Sequence, residues 1–266
     1  MRTVQLEYLR PNEILKEQER RSIVYLPIGP LEWHGVAMPY GTDPLVAGEM
    51  ARQAAQITGG VVAPTLFIGT ERERPAYILR NKGCNDPENM YVLGMDVPQN
   101  GMKSYYARED LFAVTVREHL RMLSDHGYKL IVLVNGHGAW GQVESLKRLA
   151  VEFSNETASR VLYYFADIKP DGEDAPDYGH GTLVETSMVR YLFDECVDLS
   201  ELPPREVPLN YRDWGIADDA AFGETPPPDT VIKLDPRDAT KEIGKKYFDV
   251  AVRHLCEKVE STYAEL

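Results

Sequence analysis

The sequence predicts an α/β fold in which helices cover both faces of a mostly parallel sheet. Short apolar segments rich in β-branched residues alternate with amphipathic segments of helical periodicity, an order typical of parallel strands joined by crossover helices. The segment 129–134 is almost continuously apolar, as expected for a strand that helices bury on both sides. Both observations indicate the same fold class.

The first predicted strand and helix have clear boundaries in the sequence. The strand at 21–29 is rich in β-branched residues and closes with a proline and a glycine, a pattern typical of a buried strand that leads into a loop. The helix at 45–57 follows Pro44, which suits the first turn of a helix, and it ends at Gly59-Gly60.

The later elements continue the alternation. A second strand is predicted at 61–69, and the helix at 109–126 has apolar residues near helical spacing and is closed by Gly127. The strand at 129–134 comes next. The remaining predicted elements are a helix at 141–153, a strand at 160–165, and helices at 182–193 and 239–264.

Composition excludes several classes of protein. The 266 residues contain no linker, so we expect a single domain across 1–266. A net charge of −13 without long basic runs argues against nucleic acid, and no stretch of about 18 apolar residues predicts a membrane span. Three widely spaced cysteines and the lack of an apolar signal core favour a soluble protein of the reducing cytoplasm.

Two segments interrupt the alternation. Residues 70–102 are irregular, rich in Arg, Asn, Gly and Pro, and too long for a plain connection, which predicts a lid or substrate-binding loop. Residues 203–228 are polar and rich in proline, which predicts an excursion over the surface.

The most informative motif follows the first strand. Glu32 and His34 are two residues apart, so in an extended segment both side chains leave the same face, and Asp43 comes nine residues later. These three groups form half of a metal site if Asp43 bridges two ions. The alternative is that Asp43, just before a proline, is a helix N-cap that needs no metal.

Two further motifs follow later strands. His137 lies between two glycines directly after the strand at 129–134, where it suits a ligand or, alternatively, a solvated Asn-Gly turn. Thr182 and Glu185 have the spacing of a capping box, so Glu185 is explained either by helix capping or as a ligand. His180 lies just upstream, where it could donate or accept a proton, or simply be exposed.

The conjunction of the motifs favours the metal hypothesis. In parallel sheets the carboxyl ends of the strands meet at one edge, where ligands bind. The nitrogen and oxygen ligands Glu32, His34, Asp43, His137 and Glu185 suit two divalent ions, Zn²⁺ or Mn²⁺, with Fe²⁺ as a third choice.

These residues resemble the creatininase (creatinine amidohydrolase) family. The family pattern LPxGSxExHGxHLPxGTD, then NGHGGN, then HAGxxETS is matched here by LPIGPLEWHG at 26–35, GTD at 41–43, NGHG at 135–138 and HGTLVETS at 180–187. The segment 235–240 also resembles the family's approach to its last helix, so the resemblance covers nearly the whole chain.

The resemblance implies a three-layer αβα sandwich, often a hexamer, and a role for each motif residue. Glu32, His34, Asp43, His137 and Glu185 would be metal ligands with Asp43 bridging, and His180 would be the acid/base beside Glu185 in the catalytic centre. The chain departs from the family pattern at Ala139, where true creatininases carry a metal-binding Glu, and around 36–38, where a second His is missing.

The resemblance leaves two activities open for a small-molecule substrate. The first is hydrolysis of a cyclic or related linear amide, and the second is hydrolysis of a carbon–carbon bond in an oxidised cyclic polyol of the diketo-inositol type. The long loop with Arg72, Arg74, Arg80 and Lys82 suits a polyhydroxylated or anionic substrate, unless it is a solvated basic loop. Arg72, Arg74 and Trp140 are the predicted substrate-contacting residues.

Overall fold

A computed structural model describes residues 2–81, 84–96, 102–166, 168–174, 179–206, 209 and 235–266. Its centre is a five-stranded sheet in the order β2-β1-β4-β5, in which β3 also pairs with β1 and every strand pair is parallel. The strands are β1 (Ile23–Gly29), β2 (Val61–Val62), β3 (Leu66–Phe67), β4 (Leu130–Asn135) and β5 (Arg160–Phe165).

Helices pack on both faces of this sheet. They are α1 (Pro11–Arg20), α2 (Thr42–Thr58), α3 (Ala76–Asn81), α4 (Glu109–Asp125), α5 (Trp140–Glu156), α6 (Leu183–Phe193) and α7 (Lys241–Ala264). None of these helices is both long and apolar enough to cross a membrane.

Successive side chains of the central strands point to opposite faces of the sheet, which divides the core into two layers. On β4, Val132 faces a cluster built with α2, α6 and α7, whereas its neighbours Ile131 and Leu133 face a second cluster built with α4 and α5. Each fully buried aliphatic side chain stabilises the fold by about 1.5–3 kcal/mol. The predicted α/β sandwich with a mostly parallel sheet is therefore confirmed.

Three elements differ from the sequence prediction. The predicted strand at 61–69 is two short strands, β2 and β3, because Pro64 between them has no backbone N–H to donate to a neighbouring strand. Helix α1 was not predicted, although Pro11 at its first position and the capping carboxylate of Glu13 are signals for a helix start.

The segment predicted to be irregular, 70–102, is partly ordered. It contains α3 and an antiparallel bridge between Glu73 and Leu93, which together enclose a small apolar cluster. That cluster consists of Leu79, Cys84, Val92 and Met95. Lys82 and residues 97–101 lie outside the described part, as does most of the excursion predicted at 203–228.

Candidate functional site

All the predicted ligands meet at the carboxyl edge of the sheet. Glu32 and His34 follow β1, Asp43 lies in the first turn of α2, His137 follows β4, and Glu185 lies in the first turn of α6. These five side chains belong to residues only 1% to 6% exposed. Buried charges of this density are stable only when they are paired or bound to a cation.

Pairing of β1 with β4 brings the first two motifs together. The register places Ile28 opposite Asn135, and the Gly136 N–H donates to the Ile28 carbonyl oxygen at 2.9 Å. A Cβ on Gly136 would lie 2.2 Å from the Asp43 carbonyl oxygen, so only glycine allows this close approach. The glycine before His137 is therefore needed to bring the imidazole to Asp43.

The Asn135 side chain fixes the loop that carries His137. Its Nδ2 donates to the His137 carbonyl oxygen at 2.7 Å, and its Oδ1 accepts from the His137 N–H at 3.1 Å. The same Oδ1 accepts from Gln142 Nε2 at 2.7 Å, and Gln142 Oε1 accepts from the Thr70 N–H at 3.0 Å. A chain of buried amide hydrogen bonds thus holds the His137 ring in place.

Glu32, Asp43 and His137 form a first cluster, called here the first triad. His137 Nδ1 lies 2.8 Å from Glu32 Oε2 and 3.0 Å from Asp43 Oδ2. Nevertheless, within the described residues neither of these oxygens nor His137 Nε2 has a partner in hydrogen-bond geometry. Buried polar atoms that converge without hydrogen-bonding one another are what a cation site requires.

His34, Asp43 and Glu185 form the second triad. His34 Nε2 lies 3.1 Å from Asp43 Oδ1 and 3.7 Å from Glu185 Oε1. His34 Nδ1 donates to the Glu32 carbonyl oxygen at 3.0 Å, which aims Nε2 at the carboxylates. The Gly181 N–H donates to Glu185 Oε2 at 2.5 Å and leaves Oε1 facing His34.

Asp43 belongs to both triads through different oxygens. Oδ2 faces His137 in the first triad, and Oδ1 faces His34 in the second. In each triad the candidate ligand atoms all lie within 4.8 Å of one another. The donor set of both triads, imidazole nitrogen and carboxylate oxygen, therefore fits a pair of divalent cations that share one carboxylate.

The structure also weighs the simpler explanations for these residues. Gly41, not Asp43, is the N-cap of α2, so capping does not account for the Asp43 carboxylate. His137 is buried rather than solvated in a turn. Thr182 is the N-cap of α6 without a side-chain cap bond, and Glu185 instead accepts from Gly181, so Glu185 retains part of a capping role.

The close packing of imidazoles and carboxylates shifts the pKa values of the site residues. Burial lowers the pKa of His34, but the carboxylates of Glu185 and Asp43 outweigh that effect and raise it to about 10. Burial likewise opposes the protonation of His137, yet Glu32 and Asp43 hold its pKa well above the usual range. Burial raises the pKa of Glu185 to about 7. The raised pKa values of both imidazoles follow from the carboxylates that surround them.

His180 lies beside the second triad. Its ring centroid is 4.2 Å from that of His34, and its Nε2 donates to the Trp33 carbonyl oxygen. His180 also forms a third group of potential ligands with Glu32 and His34. The structure therefore brings the predicted acid/base next to the predicted ligands.

Tyr106 is a site residue that the sequence analysis missed. Its hydroxyl donates to Glu32 Oε1 at 2.5 Å, and its ring centroid lies 6.0 Å from that of His137. Tyr106 is 74 positions away from Glu32 and belongs to no motif, so only the tertiary structure reveals the contact.

A cleft of about 580 Å³ opens over the triads, and the predicted substrate-contacting residues line it. Trp140 is 76% exposed at the start of α5. The two arginines are already paired, because Arg72 binds Glu144 at 2.8 Å and Arg74 lies 3.3 Å from Glu71. The walls also include Glu73, Pro75, Tyr77, Met95, Phe165 and the loops around His137 and His180.

Comparisons with known proteins identify the family of the chain. The family model described as creatininase, creatinine amidohydrolase, matches residues 7–79 and 102–259. The creatinine amidohydrolase of Pseudomonas putida is 26% identical over 271 residues, covering 93% of this chain and 94% of that protein. The family match omits residues 80–101, which lie inside the predicted substrate loop.

Solved creatininase structures share the fold. A crystal structure of creatinine amidohydrolase superposes with a TM-score of 0.68 at 21% identity, over 99% of each chain. A manganese form of creatininase gives 0.67 at 22% identity, over 98% of this chain and 99% of that one. A zinc–zinc form of a mutant creatininase gives 0.67 at 22% identity, over 98% of each.

The names of these relatives give no support to carbon–carbon cleavage, the second activity considered from the sequence. The family model spans most of the chain. The chain belongs to the creatininase family of hydrolases.

Proposed function

We propose that this protein is an amide hydrolase that works with two divalent cations, one in each triad. The single observation that carries the proposal is the arrangement of Asp43, whose two oxygens face two different sets of ligands. A carboxylate in that position can hold two cations at once, which a capping or surface carboxylate does not need to do.

The residues of each triad would hold one ion. Glu32, Asp43 and His137 would bind the first, and His34, Asp43 and Glu185 the second. Mixed nitrogen and oxygen ligands suit Zn²⁺ or Mn²⁺, with Fe²⁺ as a further candidate, and the related creatininases include manganese and zinc forms. Divalent cations in a buried site polarise a carbonyl and make water more acidic.

The protein's own groups would then handle the proton and the substrate. His180, whose Nε2 donates to the Trp33 carbonyl oxygen beside the second triad, would give a proton to the departing nitrogen. Glu185 would serve both as a ligand and as a catalytic carboxylate. The cleft of about 580 Å³ is the size of a small-molecule site, which suits a small cyclic amide.

The substrate would contact the cleft wall at Trp140, Arg72 and Arg74. The indole of Trp140 offers a flat exposed surface to a planar ring. To bind a substrate oxygen, Arg72 would have to share its guanidinium with Glu144, and Arg74 would have to share with Glu71. We therefore assign the main contact to Trp140.

We extend the same proposal to the organisation of the protein. The chain would form one catalytic domain and assemble as the homohexamer that the family resemblance implies. Analytical ultracentrifugation of the purified protein tests the assembly, and a sedimentation coefficient matching a monomer would contradict it.

The test of function is metal-dependent hydrolysis. The protein is stripped with a chelator, reloaded with Zn²⁺ or Mn²⁺, and assayed against cyclic amides, cyclic ureas and formamides. We expect activity only after reloading, with each broken C–N bond giving one carboxyl or carbamate group and one new N–H group. Release of a carboxylate without a new N–H group would contradict the assignment to amides, and full activity after stripping would contradict the metal requirement.

A further inference from the structure

Among the described residues, Tyr106 is the only one outside the triads whose hydroxyl binds a carboxylate of the first triad. The hydroxyl donates to Glu32 Oε1 at 2.5 Å, while Glu32 Oε2 faces His137 Nδ1 at 2.8 Å. The two oxygens of Glu32 therefore have separate partners. One is occupied by the tyrosine, and the other is directed into the first triad.

We propose that Tyr106 is a positioning residue, which holds Glu32 so that Oε2 alone faces the cation site of the first triad. The inference rests on the proposed two-cation function. A carboxylate whose second oxygen is held by a hydroxyl presents one oxygen to a cation, and hydrogen bonds of this kind orient metal ligands and tune affinity.

Tyr106 contacts two residues of the first triad. Besides Glu32, the ring lies beside His137, at 6.0 Å between ring centroids. The second triad is oriented by backbone groups instead, namely the Gly181 N–H on Glu185 and the Glu32 carbonyl oxygen on His34. A change at Tyr106 should therefore affect one cation site more than the other.

Tyr106 is itself held by the cleft wall. Its hydroxyl accepts from the Met95 N–H at 3.4 Å, and its backbone pairs with Gly69. Gly94 has a φ of +51°, and a Cβ there would lie 2.8 Å from the tyrosine oxygen, so a glycine is needed beside the hydroxyl. The wall segment that ends at Met95 therefore fixes the position of the hydroxyl.

The test is Tyr106→Phe, which removes the hydroxyl and keeps the ring. Metal-free protein is titrated with Zn²⁺ by calorimetry, and Co²⁺ is added separately to record its visible absorption spectrum. We expect the affinity of one of two sites to fall about 10- to 100-fold, with a change in the spectrum of that site. Tyr105→Phe is the matched control, because Tyr105 is adjacent but exposed, and it should match the wild type.

Combining Tyr106→Phe with a second substitution in either triad identifies the affected site. Glu185→Gln disables the second triad, and there Tyr106→Phe should weaken the remaining ion. His137→Ala disables the first triad, and there Tyr106→Phe should change nothing. Equal losses in both backgrounds, or a drop in the melting temperature of the metal-free protein that accounts for them, would overturn the positioning role.

The same titration separates this inference from the proposed function. If the wild type binds two ions and Tyr106→Phe binds both with unchanged affinity, only the role of Tyr106 falls. If the wild type binds fewer than two ions, the two-cation proposal fails, and the inference about Tyr106 fails with it.

Discussion

The two triads share Asp43 but are held in different ways. In the first, the orienting groups are side chains, since the Tyr106 hydroxyl holds Glu32 and the Asn135 amide holds the His137 loop. In the second, they are backbone groups. Backbone hydrogen-bonding groups persist through any substitution that preserves the fold, whereas side-chain groups do not. The first triad should therefore be the half of the site that evolution or engineering can alter.

The largest expected effect comes from the one residue common to both halves. Asp43→Asn replaces one of the two shared oxygens by an NH2 group and removes the negative charge that both triads use, so both ions should be lost from the isolated protein. Cations contribute several kcal/mol to such reactions, so kcat/KM should fall by about three orders of magnitude or more. Metal content by mass spectrometry and hydrolysis of the best amide substrate measure the change.

The control for that variant is Asp125→Asn, at the exposed end of α4. It should retain both ions and full activity. An Asp43→Asn protein that still bound two ions would show that the shared carboxylate is not a bridge.

The next effect distinguishes the triads. His137→Ala and Glu185→Gln should each lower the metal content from two ions per chain to one, because each removes a ligand that the other triad does not use. Competition titration with a chromogenic chelator measures this stoichiometry. Loss of both ions in either variant would indicate that the sites fill only together, and would contradict the independence of the two halves.

The pH dependence of metal binding should be steep in both triads. At pH 7 the imidazoles of His34, with a pKa of about 10, and His137, with a raised pKa, hold protons that a cation must displace. Affinity should therefore rise with pH, by up to about tenfold per pH unit for each proton released. For His34 the gain should end as the pH passes about 10.

Calorimetry in buffers of different ionisation enthalpy counts the protons released. Below about pH 7 the buried Glu185 should release a further proton in the second triad, because burial raises its pKa to that value. Binding without proton release would contradict the protonated state assigned to both histidines.

The smallest effect concerns the cleft wall rather than the triads. Trp140→Ala should change the free energy of unfolding by less than about 0.5 kcal/mol, since the residue is 76% exposed. Loss of an aromatic contact worth about 0.5–1.5 kcal/mol should raise KM by roughly 2- to 10-fold and leave metal content unchanged. Val151→Ala, exposed on the same helix, is the control. An unaltered KM would remove Trp140 from the substrate site.

Local sequence signals were enough to select the candidate ligands, because each of them follows a predicted strand or lies at the start of a predicted helix. His137 follows a fully buried strand, and parallel pairing with β1 carries it to Asp43. The split of the 61–69 strand follows from Pro64, whose effect on pairing was not recognised. Helix α3 was missed because its buried Leu79 packs in a small cluster with Val92 and Met95, which are distant in sequence.

Other features were beyond sequence reasoning. The contact of Tyr106 with Glu32 depends on a long-range fold of the chain that no spacing encodes. The basic residues of the wall were interpreted as substrate ligands, yet both arginines have carboxylate partners. Arg72 pairs with Glu144, which is distant in sequence, and Arg74 pairs with Glu71, which is only three residues away. Charge counts along a segment do not reveal which charges are already neutralised.

The two-cation arrangement is most directly tested by anomalous diffraction from crystals loaded with Zn²⁺, recorded on both sides of the zinc absorption edge. The arrangement of ligands predicts two peaks on opposite sides of the Asp43 carboxylate, one beside His137 and one beside His34. A single peak, or peaks elsewhere with neither imidazole as a ligand, would contradict it.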